Sequence, residues 1–460
     1  MSDTAKDARP LTLDDLTAWF ASGSKPKDEW RVGAEHEKFG FRLKGYETPA
    51  YYGPDGIEAL LTGLQRFGWE PVLEANQDEP GGKPVMIGLH RSGANVSLEP
   101  GGQFELSGAP LETMHDICSE TGEHLQEVKT VADELGLGFL GLGFQPIIKR
   151  EDAPIMPKGR YRIMRRYMPL VGSMGLDMMF RTCTVQANLD FGSEADMVAK
   201  FRTSLALQPI CTALFANSPF TEGKPNGFLS ARANVWTDTD KDRTGLLGFV
   251  FEDGFDFERY ARYALDVPMY FAKRDGRYID VAGKSFRDFI DGKLDELPGE
   301  RATIKDWVDH TSTIFPEVRL KTYLEMRGAD AGPWSNLCAL PALWTGVFYD
   351  DAALAAAWDL CKNWTLEERE QLRADVPKQG LKAVVAGRTV QDVAKDFVAI
   401  AKEGLKRRNR LDGGFVDETV YLGMLEQIAA SGRTPADVLL EKYHGAWKGD
   451  VTRVFEEDAY

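Results

Sequence analysis

Apolar and polar positions along the chain follow two rhythms. Thr12 has the character of a helix cap with Asp15 three residues on, and the run through Leu16 and Trp19 predicts a short helix ending at Ser22-Gly23. Two-residue alternation then takes over. Trp30 to Leu43, Val85 to His90, Asn95 to Glu99 and Gln103 to Ser107 read as strands, and Pro100-Gly101-Gly102 turns the last two into a hairpin. Leu111 to Leu135 returns to helical spacing, with Ile117, Leu125, Val128, Ala132 and Leu135 on one stripe, and Gly138 to Ile148 is apolar enough for one or two strands.

The cleanest alternation lies further on. In Arg181 to Phe191 one face carries Cys183, Val185, Ala187, Leu189 and Phe191, and the other Thr182, Thr184, Gln186, Asn188 and Asp190. In Glu317 to Arg327 the apolar face is Val318, Leu320, Leu324 and Met326, broken only by Thr322, against Glu317, Arg319, Lys321, Tyr323, Glu325 and Arg327, with a turn expected at Gly328. From Leu337 the text becomes helical: Ala352 to Trp358, Leu366 to Ala374, Val390 to Lys406, Phe415 to Ser431 and Pro435 to Tyr443, with Thr365 and Thr434 as caps. The predicted class is α+β, an antiparallel sheet with helices over its apolar side. One catalytic unit over 1–460 is expected: an N-terminal helix within 12–30, a sheet-centred core over 30–335 and a mainly helical part over 336–460.

Composition narrows the partners. The chain has 460 residues, with 55 Lys+Arg against 71 Asp+Glu, a net charge of −16 that argues against nucleic acid or an anionic membrane surface. Met1 to Pro10 lacks the apolar core of a signal peptide and the make-up of a transit peptide, and no apolar run reaches membrane-span length, so the expected location is the cytoplasm. Five cysteines without a CxxC pair read as reduced, buried thiols. Three familiar motifs fail. Gly136 to Gly141 matches GxGxxG in letters but follows a helix and enters a strand, Gly283-Lys284-Ser285 lacks the first glycine of a phosphate loop because Tyr278 stands there, and His36-Glu37 meets Gly40 where HExxH needs histidine. A nucleotide site therefore has to hold phosphates through metal ions and cationic side chains.

Glu35 and Glu37 point to one face of their strand, Glu99, Gln103 and Glu105 flank the glycine turn, and Glu325 lies on a later polar face. Five carboxylates and an amide oxygen make an oxygen-only set suited to two or three Mg²⁺ ions. A lone glutamate on a sheet is more often a solvated charge, but like charges crowded on one strand repel unless a cation lies between them. Cations for polyphosphate or carboxylate come from Arg160, Arg162, Arg165 and Arg166, from Arg232, and from Arg319, Lys321 and Arg327 on the face of Glu325. Glu35, Glu325 and Arg327 are assigned to the reacting centre, and Arg319, Lys321 and Gln103 to the nucleotide.

Gly33-Ala34-Glu35-His36-Glu37-Lys38-Phe39-Gly40-Phe41, Ser97 to Gly108, Met156 to Tyr161, Arg181 to Phe191 and Tyr323 to Asp330 closely resemble the plant-type branch of the glutamate-cysteine ligase family, in the same order from about Trp30 onward. The resemblance implies a glutamine-synthetase-like curved antiparallel funnel and the reaction of ATP, L-glutamate and L-cysteine to γ-glutamylcysteine, ADP and phosphate. It places the metal ligands at Glu35, Glu37, Glu99, Glu105 and Glu325. Glutamate falls to Arg232, Arg160 and Thr184, and the cysteine pocket to Tyr270 and Trp334. It also implies a redox-active disulfide between Cys118 and Cys338 and, because the chloroplast transit segment of the plant enzymes is missing, a bacterial protein; a monomer or homodimer is expected. A ligase of this scaffold with another amine acceptor, a non-enzymatic metal- or nucleotide-binding regulator, and a metal-dependent hydrolase are the alternatives; the last lacks the histidine-rich ligand set such sites need.

Overall fold

Alternating sequence becomes a nine-stranded antiparallel sheet in the computed structural model, which describes residues 9–76 and 82–460. Most of the Met1 to Pro10 stretch lies outside the described residues. The strands are β1 (Val32–Arg42), β2 (Glu70–Glu74), β3 (Val85–Arg91), β4 (Ala94–Leu98), β5 (Phe104–Ser107), β6 (Leu137–Leu140), β7 (Thr184–Leu189), β8 (Val318–Leu320) and β9 (Leu324–Asp330). They lie side by side as β8-β9-β7-β1-β5-β4-β3-β2, and β6 pairs with the far end of β1. β1 is therefore the axis, hydrogen-bonded to β5 and β7 on its two flanks.

Because side chains alternate across each strand, one sheet face is dry and the other is chemical. Val32, Ala34, Val185, Ala187, Leu189, Leu324 and Met326 are buried on the dry face, in one core with the helices Glu194–Leu214 and Trp334–Phe348. The helices Asp351–Cys361, Leu366–Gln379 and Val390–Arg408 add a further layer to that core. Thr12, Thr365 and Thr434 each close a capping box, with Asp15, Glu368 and Asp437 as the reciprocal partners. Among the described residues no helix is long and apolar enough to cross a membrane.

Several expectations need correction. Glu317 to Arg327 is a hairpin of two strands rather than one: the alternation breaks at Thr322 because the chain turns there, and Arg319 lies opposite Glu325. Gly328 is no turn but sits inside β9, where a bulge between Met326 and Ala329 shifts the register. Gly138 to Ile148 keeps one short strand, Leu137–Leu140, and Arg181 ends a helix instead of starting a strand. The predicted helix from Phe415 begins only at Gly423, and Phe415 itself is 85% exposed.

Candidate active site

Strand register builds an acidic wall. Glu37 on β1 stands directly opposite Glu105 on β5, which in turn stands opposite Ser97 on β4. Glu35, two residues along β1 on the same face, is opposite Ser107 on β5 and Gln186 on β7. Glu99 begins the Pro100-Gly101-Gly102 turn, held by its own N–H donating to the Gln103 carbonyl at 2.9 Å. These carboxylates are held in place individually. Asn188 Nδ2 donates to Glu35 at 2.7 Å, the Thr184 N–H donates to Glu37 at 2.9 Å, and Ser107 Oγ donates to Glu105 at 3.0 Å. Burial, followed by the nearby charges of Glu325 and Glu105, pushes Glu35 up to about 7. Glu37 is pushed well up by burial and by Glu99 and Glu105, and Glu105 is raised by burial and Glu99.

On the other side of β7 the sheet carries the opposite charge. Glu325 on β9 is fully buried, and its carboxylate takes Arg319 at 2.7 Å, Lys321 at 3.2 Å and Arg327 at 2.6 Å. Burial alone would raise this acid, but the three cations outweigh it and hold it well below the ordinary carboxylate range. Arg319 spends its other terminal nitrogen on the carbonyls of Ser312 and Ile314, and Arg327 also donates to Gln186 at 2.6 Å.

The two walls face one cavity of about 440 Å³, a volume suited to small ligands. Glu35, Glu37, Glu99 and Glu105 line it on one side, and Arg319, Lys321 and Arg327 on the other. Arg160 enters from the helix Gly159–Val171, with Nε buried and unpartnered. Tyr161, Met164, Phe271 and Phe315 supply apolar surface, and Lys158, just outside, ties that helix to β4 by donating to Ser97 Oγ at 2.7 Å and the Leu98 carbonyl at 2.9 Å. A smaller hollow of about 10 Å³ adjoins it, sharing Phe315 and Arg327 and adding Arg232 and Trp236. Arg232 is buried and donates to the Arg327 carbonyl at 2.9 Å, leaving Nε without a partner.

The remaining candidates lie elsewhere. Gln103 is buried inside the turn, its Oε1 accepting from the Gly101 N–H and its Nε2 donating to the Met179 and Thr182 carbonyls, and it does not line the cavity. The Thr184 hydroxyl donates to the Ala329 carbonyl at 2.7 Å; its backbone N–H, through Glu37, is its link to the site. Tyr270 is buried behind the wall under Arg243, and its neighbour Phe271 is the residue that reaches the cavity. Trp334 is 43% exposed on the far side of the sheet, its Nε1 donating to the Cys118 carbonyl at 3.4 Å. Arg165 stacks over Phe180 and Arg166 pairs with Asp280 at 2.5 Å, both away from the cavity lining. Cys118 and Cys338 are buried free thiols, and burial, followed by the neighbouring Cys338, pushes the Cys118 thiol up. Ser97, Ser107, Tyr161, Phe271 and Phe315 escaped the sequence reading; only the two serines carried a signal, standing two residues from glutamates on alternating strands.

Among the described residues no three His, Cys, Asp or Glu side chains close around one point. Glu325 is turned to its three cations and does not line the cavity. The paired carboxylates on the acidic wall, raised by one another, still fit a hard divalent ion of the Mg²⁺ kind, which takes one or two carboxylates and completes its shell with water and phosphate oxygens.

A family model described as glutamate-cysteine ligase family 2 matches residues 31–457. The chain belongs to that family. A chloroplastic glutamate-cysteine ligase of Nicotiana tabacum is 57% identical over 459 residues, spanning 100% of this chain and 85% of the relative, and that of Arabidopsis thaliana is 58% identical over 452 residues, spanning 98% and 83%. A crystal structure of glutamate-cysteine ligase from Francisella tularensis in complex with AMP shares the fold, with a TM-score of 0.53 at 14% identity over 93% of this chain and 88% of that one. The expected α+β fold around a large antiparallel sheet is thereby met. The expectation of a bacterial cytoplasmic protein is not: the relatives at this identity are chloroplastic plant enzymes.

Proposed function

We propose that this cavity is where the chain carries out the ATP-dependent joining of glutamate to cysteine, giving γ-glutamylcysteine. The observation that carries the reading is the lining of one cavity by an acidic and a basic set of side chains, which is what a polyphosphate with its counter-ions and an amino acid need side by side. Glu35, Glu37, Glu99 and Glu105 would hold Mg²⁺. When bound, that ion neutralises triphosphate oxygens, so that an anionic nucleophile is able to approach.

The chain's own side chains do the rest. Arg160 and Lys321 orient phosphate oxygens, and Arg232, with its free Nε, holds the α-carboxylate of glutamate. The γ-carboxylate oxygen then attacks the γ-phosphorus, ADP leaves, and an acyl phosphate forms. The free amine of cysteine attacks the acyl carbon, and phosphate departs with the electron pair of the broken C–O bond and takes up the proton that the amine loses. Phe271, Phe315 and Tyr161 shield that intermediate from water. Glu325 keeps Arg319, Lys321 and Arg327 in one geometry, so that no cation has to reorganise as charge moves.

The test is mass spectrometry of products after incubation with Mg-ATP, glutamate and cysteine, alongside phosphate release with other single amino acids as acceptor. Cysteine-dependent γ-glutamylcysteine is the expected product, and preference for another acceptor overturns the choice of cysteine. On the same reading Cys118 and Cys338 form a reversible redox pair. Mild oxidation should remove two titratable thiols from the wild type and none from Cys118→Ser.

A further inference from the structure

Ser312, Thr313 and Phe315 line the cavity as one short segment between the helix Ile304–Thr311 and β8. The carbonyls of three successive residues in it are all taken by buried guanidinium groups. Arg319 donates to Ser312 O at 2.8 Å and Ile314 O at 3.2 Å, and Arg243 donates to Thr313 O at 3.1 Å. Arg243 also engages the segment through its own backbone, whose carbonyl accepts from the Phe315 N–H at 2.7 Å, and Thr244 and Gly245 run parallel to Phe315 and Pro316. The rest of the side chain is fixed from behind, by Asp240 at 2.6 Å, the Pro268 carbonyl at 2.7 Å and the Tyr270 ring, whose centroid is 3.7 Å from the guanidinium carbon. Arg243 is fully buried and lines neither hollow.

Phe315 is the residue so held, and it belongs to both spaces. Its ring centroid lies 6.0 Å from that of Trp236, and the guanidinium carbons of Arg327 and Arg319 are 5.6 and 5.8 Å from it. It therefore partitions the large cavity from the small hollow that contains Arg232. A displacement of the ring by about an ångström would reshape the hollow, and misplacements of that size cost binding and rate at a distance.

The geometry points to Arg243 as a positioning residue for glutamate: it sets the backbone of Thr313 to Phe315, and thereby the wall against which the substrate carboxylate meets Arg232. The inference rests on the proposed role of Arg232 in holding the α-carboxylate of glutamate. The requirement is for a planar fork that serves an acid and two carbonyls at once while stacking on an aromatic ring, a combination lysine lacks.

The test compares full-length Arg243→Lys, Phe315→Leu and, as control, Arg369→Lys, since Arg369 is another buried arginine, binding the Cys361 and Trp364 carbonyls within the helical layer. L-glutamate and ATP binding are measured by calorimetry, KM and kcat by turnover, and folding by melting temperature. Arg243→Lys and Phe315→Leu should each weaken glutamate binding and raise its KM about tenfold or more, with ATP affinity within about twofold of wild type. Arg369→Lys should lower the melting temperature and leave glutamate affinity alone. Wild-type glutamate affinity in Phe315→Leu overturns the partition even if Arg243→Lys fails to fold. Equal losses for glutamate and ATP in Arg243→Lys overturn the positioning role. A wild-type protein that binds glutamate but makes no γ-glutamylcysteine counts against the proposed function and leaves this comparison readable.

Discussion

Glu325 is the only carboxylate contacted by all three of Arg319, Lys321 and Arg327 among the described residues, so its loss strands three charges in a buried wall. Breaking a buried ion pair from one side costs about 3–5 kcal/mol, and Glu325→Gln should lose at least that in denaturant unfolding together with nearly all turnover. Near-normal stability would show that the cations find other partners. Glu35 behaves in the opposite sense. Its carboxyl is raised from the ordinary 4.5 to about 7, so the folded protein holds a proton there that the unfolded chain has released. The stability this contributes is present below the unfolded value, falls as pH rises between about 4.5 and 7, and is gone above; the gap corresponds to roughly 3 kcal/mol. In metal-free buffer Glu35→Gln should therefore melt above the wild type at pH 8 and close to it at pH 4. A wild-type advantage at pH 8 would contradict the sign.

At the scale of elements, the β4–β5 turn ties the acidic wall to the helix behind it. Gly102 has φ +84°, a left-handed conformation natural to glycine, and a Cβ at Gly101 would meet the Phe180 carbonyl oxygen at 2.5 Å. Gly101→Ala should shift Glu99 and lower kcat at least tenfold, beyond what its loss of melting temperature explains; an unchanged kcat would free Glu99 from the chemistry. Legibility in sequence followed the same elements. β1, β3, β4, β5 and β7 were readable because each has unlike faces, and that alternation also brought Glu35, Glu37 and Glu105 to one side. The helices Glu194–Leu214 and Trp334–Phe348 were not, because they are buried nearly all round and so carry no amphipathic period. Gln103, Thr184, Tyr270 and Trp334 lie near the site in sequence or space, yet their polar atoms are committed to backbone or core, and spacing carries no record of which partner a side chain has taken.

For the molecule as a whole, an acidic wall whose members raise one another opposes folding until a cation arrives. Mg²⁺ should raise the melting temperature by a few degrees at pH 8, with about 2.7 kcal/mol available at a hundredfold excess over Kd, and by much less at pH 5, where the raised carboxyls are protonated. Glu37→Gln combined with Glu105→Gln should abolish the shift; an undiminished shift would place the ion elsewhere. The sheet order has one more consequence. β7 alone separates β1, which bears Glu35 and Glu37, from β9, which bears Glu325 and Arg327, so the acidic and basic halves are two strand spacings apart, roughly 10 Å. Backbone hydrogen bonding makes that spacing a ruler with fixed graduations. A descendant enzyme working on a longer acid could not stretch the gap by small steps: it would have to gain a strand or move one of the two chemistries onto a loop.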